Sequence, residues 1–169
     1  MEENISCTID YESKNDPKCK ILVNGMVVHD FVASEQQTKF YFTVANGPFT
    51  FRILHYGKDM KKDVSKFVEI KKIYFNDIDL KNMMWETEQV PELPRWQDKD
   101  DYNWKSNLYF GHNGYIEYNL NSPIVDHLLE FHTKGAKVSS NMGSYNMELL
   151  YEMKDYFGKI VKEQDEKSQ

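Results

Sequence analysis

The sequence predicts a mainly β protein, an antiparallel β-sandwich or jelly roll followed by one or two C-terminal α-helices. Three observations predict it: an Asn-Gly pair between apolar runs, apolar residues at period two through the first two-thirds, and helical spacing after Ser122. A chain of 169 residues can bury one sizeable core and is short for two independent domains. We predict a polar N-terminal segment over residues 1–20, the sandwich over 21–135, and a C-terminal helix and tail over 136–169.

The predicted strands follow from alternation and turn signals. The run Ile21–Val28 places Asn24-Gly25 between apolar residues, which indicates a hairpin. Further strands are predicted where inward apolar residues alternate with polar ones; these residues are Phe40, Phe42 and Val44, then Phe49, Phe51 and Ile53. In the strand predicted over Phe67–Leu80, one face holds Val68, Ile70, Lys72 and Tyr74 and the other holds Lys71, Ile73 and Phe75, and both faces are partly apolar near its end. Asn76-Asp77 is predicted to turn or bulge the chain before Ile78 and Leu80 return to the core.

The stretch GHNG, Gly111 to Gly114, lies between two runs of aromatic and aliphatic residues. Its two glycines permit positive φ, and Asn113-Gly114 suits a type I′ turn. The stretch therefore predicts a hairpin bend, and a ligand-binding His112 is the alternative.

Apolar residues follow a helical spacing after Ser122. Ser122 followed by Pro123 is typical of an N-cap and a first helical position, and Gly135 is a plausible end of the helix. A second helix is predicted beyond Ser144, with its buried face formed by Leu149, Met153, Tyr156 and Ile160.

Composition excludes several functions. The chain has 21 basic and 27 acidic residues, a net charge of -6, and its only arginines are Arg52 and Arg95, so we expect no nucleic-acid partner. No apolar leader or run of about 18 apolar residues occurs, so we expect no membrane insertion and a soluble protein made in a cytoplasm. The two cysteines, Cys7 and Cys19, are expected to be free thiols.

The segment from Lys81 to Asn107 loses periodicity and holds all three tryptophans beside a run of acids. Aromatic faces can stack on sugar rings while acids and amides bind the hydroxyls, so this loop is the predicted ligand-binding site. An alternative of equal weight is that the loop folds onto its own sheet or onto a neighbouring subunit. The predicted site residues are Trp96, Asp98, Asp100, Asp101, Tyr102 and Trp104.

The acids of this run are also oxygen ligands of the kind that calcium prefers, although the glycine and the terminal Glu of an EF-hand are absent. A solvated acidic loop is the competing interpretation, and no cofactor other than calcium is suggested. No HExxH or GxSxG motif is present, and we therefore predict no catalytic residues and a non-enzymatic protein.

The order of motifs resembles a group of proteins from tailed phages, especially marine cyanobacterial phages. The matching residues lie between Phe49 and Phe131, and they are His55, Gly57 and Lys58, the strand Ile73 to Leu80, Pro91, Pro94 and Trp96, Gly111 to Gly114, and Pro123. The resemblance implies a β-sandwich similar to calcium-dependent, xylan-binding carbohydrate modules, and it brings no catalytic residues.

From this resemblance we expect a phage virion protein, a binding or assembly module of the tail, baseplate or capsid surface. Its partners would be glycan or neighbouring virion proteins, and its location the virion after synthesis in the host cytoplasm. The alternative is an early phage protein that binds and modulates a host protein.

Overall fold

A computed structural model describes residues 1–93, 97–98, 100 and 103–138, with only the backbone at 81–82 and 132–138. Within these residues the chain forms two antiparallel sheets and one α-helix, which confirms the predicted fold class. The strands are β1 Glu2–Lys14, β2 Lys18–Val23, β3 Met26–Val32, β4 Gln37–Ala45, β5 Gly47–Tyr56, β6 Phe67–Phe75, β7 Ile78–Asp79, β8 Val90–Glu92, β9 Tyr109–Phe110 and β10 Asn113–Ser122. A 3-10 helix covers Lys81–Trp85 and α1 covers Ile124–Val138.

Sheet A has the order β4-β1-β6-β7, with β9 also paired to β6, and sheet B has the order β3-β2-β5-β10-β8. Large side chains fill the space between the inner faces of the two sheets. Phe51 of sheet B, for example, meets Phe42 and Phe75 of sheet A at ring-centroid distances of 5.9 and 5.0 Å. Burial of these aromatic rings is the main stabilising contribution of the core.

The chain divides into two units, Met1–Leu128 and Leu129–Gln169. The first unit contains every described strand, and the second is described only as the C-terminal part of α1. The predicted second helix beyond Ser144 lies outside the described residues. No helix of the described part is long and apolar enough to cross a membrane.

The N-terminal residues differ from the prediction, because β1 occupies an inner position of sheet A where we expected a polar segment. Every second residue from Ile5 to Tyr11 is buried, and polar residues stand between them. This alternation is that of a half-buried strand. Cys7 and Cys19 are both free and buried in the core, as expected for free thiols.

Several predicted strands are confirmed. Asn24 and Gly25 join β2 to β3 with φ of 50° and 78°, the backbone of a type I′ turn. The predicted inward residues of β4 and β5 are buried: Phe40, Phe42, Val44, Phe49, Phe51 and Ile53. Asn76 and Asp77, also at positive φ, form the turn between β6 and β7.

The strand predicted over Phe67–Leu80 forms β6, and its alternation is interrupted after Ile70. Asp10 of β1 lies opposite Lys72 and Tyr11 opposite Ile70, so Lys71 has no partner across the pair. The extra residue is a β-bulge, which changes the face on which the following side chains lie. As a result Val68 and Ile70 are buried before the bulge, and Ile73 and Phe75, which were predicted on the opposite face of the strand, are buried after it.

The prediction of a hairpin at Gly111 to Gly114 is also wrong. β9 before it pairs with β6 of sheet A, whereas β10 after it pairs with β5 and β8 of sheet B. The stretch therefore carries the chain from one sheet to the other. Gly114 has φ 148°, and a Cβ there would lie 2.5 Å from the carbonyl oxygen of Val90, so the close approach of β8 requires glycine.

The start and end of α1 differ from the prediction. Ser122 is the last residue of β10, and Glu3 caps the helix in its place: the Ile124 N–H and the Ser122 hydroxyl donate to Glu3 Oε2 over 3.0 and 2.6 Å. A carboxylate at this end also suits the helix dipole. The helix continues through Gly135 to Val138, so Gly135 does not end it.

Candidate functional site

The predicted aromatic and acidic site is only partly within the described residues. Trp104 is 7% exposed, its ring lies edge-on to His112 at a centroid distance of 6.1 Å, and its carbonyl accepts from the Gln89 N–H over 2.9 Å. Trp104 thus packs into the body of the protein, as the alternative interpretation of this loop expects. Its role in ligand binding stays a prediction.

The remaining predicted site residues add little geometry. Trp96, Asp101 and Tyr102 lie outside the described residues. Asp98 and Asp100 are exposed, and the Asp100 N–H donates to Asp98 Oδ1 over 3.2 Å. No group of three or more His, Cys, Asp or Glu side chains that could hold a metal ion occurs in the described part of the chain. Calcium binding by the acidic run therefore stays a prediction.

Buried polar side chains surround the crossover at Gly111 to Gly114. The Lys58 ammonium is buried and donates to the carbonyl oxygens of Gly111 and Lys66, each over 2.6 Å. The Lys58 backbone is bound from both sides by the Asn113 side chain, over 2.8 and 3.1 Å. These contacts fasten the crossover to the segment that follows β5, which is a structural role.

His55 lies beside this crossover and is fully buried. Its Nδ1 lies 2.6 Å from the His112 carbonyl oxygen, which can only accept, so Nδ1 carries the proton and Nε2 has the free lone pair. Burial lowers the pKa of His55, and the hydrogen bond to His112 opposes that change. His55 Nε2, His112 Nδ1 and the Gln89 amide find no hydrogen-bond partner among the described residues.

An open groove on sheet A is a concave surface lined entirely by described residues. We call it the bulge groove, because the β-bulge at Lys71 lies in its wall; its volume is about 820 Å³. It forms where the chain before β4 diverges from β1. Its lining residues are Asp10 to Ser13, Ser34 to Gln37, and Lys71.

The groove walls are held in place by hydrogen bonds. The Tyr11 N–H donates to the Gln36 carbonyl over 2.9 Å, and the Ser13 hydroxyl donates to the Ala33 carbonyl over 2.6 Å. The Gln37 amide donates to Asp10 Oδ1 over 2.7 Å. The groove backbone and the side chains of Asp10, Ser13 and Gln37 are therefore positioned before any ligand binds, which lowers the entropic cost of binding.

Lys71 is the one basic residue among those that line the groove. Its ammonium lies 2.8 Å from Glu69 and 3.4 Å from Glu12, and hydrogen bonding to Glu69 and then to Glu12 raises the pKa of Lys71 against the opposing effect of burial. Burial is also the main cause that raises the pKa of Tyr11, followed by the charges of Cys19 and Glu35. Lys71 stays protonated as a hydrogen-bond donor.

All of the side chains that line the groove carry hydrogen-bond donors or acceptors. Carboxylates only accept, the Lys71 ammonium only donates, and the Gln and Ser side chains do both. A ligand rich in hydroxyl groups matches this mixture because each hydroxyl also donates and accepts. A volume of about 820 Å³ falls in the range of small-molecule sites.

No family model and no curated protein matches this chain. Among solved structures the chain is similar to vCBM60 in complex with galactobiose, with a TM-score of 0.50 and 14% identity over 68% of this chain and 99% of that chain. It is also similar to the SeMet form of vCBM60, reported with a circular permutation that links two families of calcium-dependent carbohydrate binding modules. That match has a TM-score of 0.48 and 14% identity, over 68% of this chain and 89% of that one. At this identity the likeness shows a shared fold.

Sequence reasoning missed the bulge groove. Four of its nine lining residues belong to β1, which we predicted to be a polar segment, and the others come from the loop before β4, from the first residue of β4 and from the bulge. A signal for β1 was present in ISCTIDY, where apolar residues and Cys7 alternate with polar ones. No comparable signal marks the bulge at Lys71.

Proposed function

We propose that this protein is a non-catalytic glycan-binding module and that the bulge groove is its binding surface. The observation that carries the proposal is a preformed groove of about 820 Å³ whose walls consist almost entirely of hydrogen-bonding side chains. Sugars are the common ligands in which closely spaced hydroxyls require such a surface.

The shared fold supports the same class of function. A structure of vCBM60 contains galactobiose, and its chain matches ours over 99% of its length. Because identity is 14%, the likeness supports a carbohydrate-binding scaffold and says nothing about which surface binds. The hydrogen-bonding side chains of the groove are the reason for proposing it as the binding surface.

A glycan array followed by titration calorimetry tests the proposal. Glu35→Ala combined with Gln36→Ala changes two exposed groove residues and should leave thermal unfolding unchanged. We expect the affinity for the best array ligand to fall by about tenfold or more, because each lost hydrogen bond to a charged group contributes roughly 1.5–3 kcal/mol.

A matched control changes acids of the predicted aromatic loop instead. Asp98→Ala combined with Asp100→Ala should bind the same glycan as tightly as the unmodified protein. If this control loses binding and the groove variant keeps it, the binding surface is the loop and not the groove. An array without any bound glycan would refute a glycan-binding function altogether.

The module is proposed to be non-catalytic, although carboxylates line the groove. Incubation with the bound glycan should release no new reducing ends. Turnover that a groove carboxylate variant abolishes would instead identify a glycoside hydrolase.

We further propose a tailed-phage particle as the setting, as the resemblance between Phe49 and Phe131 implies. The module would then engage glycan or neighbouring virion proteins. Mass spectrometry of purified virions should detect the chain. Its absence from virions and presence in infected cells would favour the early protein that modulates a host protein.

A further inference from the structure

Tyr41 has the most exposed aromatic side chain of the described residues, with 69% of its surface accessible. It lies on β4, which follows the Ser34–Gln37 wall of the bulge groove directly in sequence. A single exposed apolar side chain is ordinary. Tyr41 is a candidate for ligand contact because of its position relative to the groove.

Tyr41 and the groove occupy the same face of sheet A. Gln37 of β4 lies opposite Asp10 of β1, and these two side chains hydrogen-bond at the groove. Side chains at every second position of a strand share a face, so Tyr41, four residues after Gln37, lies on the face of the groove. Its partner on β1 is Ser6.

The distance between the groove and Tyr41 follows from strand geometry. Four residues of an antiparallel strand span about 13 Å. One sugar ring held among the groove side chains would therefore not reach Tyr41. A chain of several sugars laid along β4 would reach it.

The surface between the two positions is polar and compatible with a sugar chain. The intervening pair on this face is Lys39 opposite Thr8, and the Lys39 ammonium lies 6.0 Å from the centre of the Tyr41 ring. The Thr8 side chain is buried, so the exposed Lys39 ammonium is the group here that can bind sugar hydroxyls, and the ring of Tyr41 can stack on the C–H surface of a sugar.

We infer that the ligand is a linear oligosaccharide that runs from the bulge groove along β4 to a distal stacking subsite at Tyr41. This inference rests on the proposed function, and it adds the size of the ligand and the direction in which it lies. A monosaccharide or a terminal sugar would occupy the groove alone.

Titration calorimetry with oligosaccharides of increasing length, all from the glycan class selected on the array, tests the inference. Affinity should rise with length until the chain reaches Tyr41 and then remain constant. Tyr41→Ala should lose this gain, about tenfold for the long ligand because the ring that stacks on the distal sugar is removed, and should bind the shortest ligand unchanged.

Trp85→Ala, at an aromatic residue that is 44% exposed and outside the groove, is the control and should retain the gain with length. If affinity does not depend on length, or if Tyr41→Ala binds every length as the unmodified protein does, the distal subsite is refuted while groove binding stands. If no glycan binds at all, the proposed function fails and the inference fails with it.

Discussion

Lys58 shows at the residue scale how one buried charge can hold two segments together. Its ammonium donates to the carbonyl oxygens of Gly111 and Lys66 at 2.6 Å and reaches that of Val64 at 3.4 Å. Lys58→Met keeps the length of the side chain and leaves these carbonyls without their donor. We expect the free energy of unfolding to fall by about 2 kcal/mol, measured by urea denaturation.

Lys62→Met is the matched control in the same loop. The Lys62 side chain is 84% exposed and its ammonium lies 3.9 Å from the Asp59 carboxylate, so its loss should change stability by no more than about 0.5 kcal/mol. Equal stability of the Lys58 and Lys62 variants would show that the buried contacts of Lys58 contribute nothing beyond an exposed lysine.

His55 gives a pH dependence with a definite sign. Burial lowers its pKa in the folded protein, with further lowering by Lys58, Lys66 and His112, whereas an unfolded histidine titrates near about 6.5. Below that pH the unfolded chain takes up a proton that the folded protein excludes. Stability is therefore complete above about pH 6.5 and falls as the pH decreases toward the lowered pKa.

His55→Asn tests this dependence, since the Asn amide can replace the Nδ1–H donor to the His112 carbonyl. Thermal unfolding between pH 7.5 and pH 5, values that bracket the ordinary histidine pKa of about 6.5, should show a smaller loss of Tm for the variant. Identical slopes for the two proteins would assign the pH dependence to other groups.

At the scale of the element, the sequence predicts strands where alternation and turn chemistry agree. Asn24-Gly25 and the phenylalanines of β4 and β5 are such cases, and the structure confirms them. β1 has the same alternation, but we predicted a polar segment there because of its acidic residues and its position at the N-terminus. The prediction gave more weight to the polar composition of this segment than to its alternation. In the structure β1 forms a strand because it pairs with β4 on one side and β6 on the other.

Two other elements depend on partners that are distant in sequence. The crossover at Gly111 to Gly114 has the residues of a hairpin, and only the pairing of β9 with β6 and of β10 with β5 separates the two strands. The start of α1 is capped by Glu3, 121 residues away from Ile124. Neither feature has a local signal, since turn and cap preferences describe neighbours in the chain.

At the scale of the molecule, the fold could be predicted more fully than the site. A sandwich requires only that the apolar faces of its sheets be buried. The alternation of apolar and polar residues in each strand indicates such a face independently of the other strands. The bulge groove depends on three separate segments, β1, the Ser34–Gln37 loop and the bulge at Lys71, that meet only through the register of sheet A. Its exposed polar residues look individually like an ordinary solvated surface.

The positions of the sheets and of the groove along the chain predict which part of the chain is sufficient for folding and binding. Both sheets, their core and the bulge groove lie within the unit Met1–Leu128, and α1 is described as far as Val138. We propose that a fragment of residues 1–138 folds alone, because it retains the apolar burial and strand pairing that stabilise the sandwich. It should unfold in one cooperative thermal transition and bind the array-selected glycan with the affinity of the full chain.

Two measurements on this fragment separate folding from binding. Near-UV circular dichroism reports fixed packing of the aromatic core, and titration calorimetry reports the groove. A fragment without a cooperative transition would show that residues 139–169 contribute to the stability of the sandwich. A folded fragment with weakened affinity would show that those residues form part of the glycan site, and the binding surface would then extend beyond sheet A.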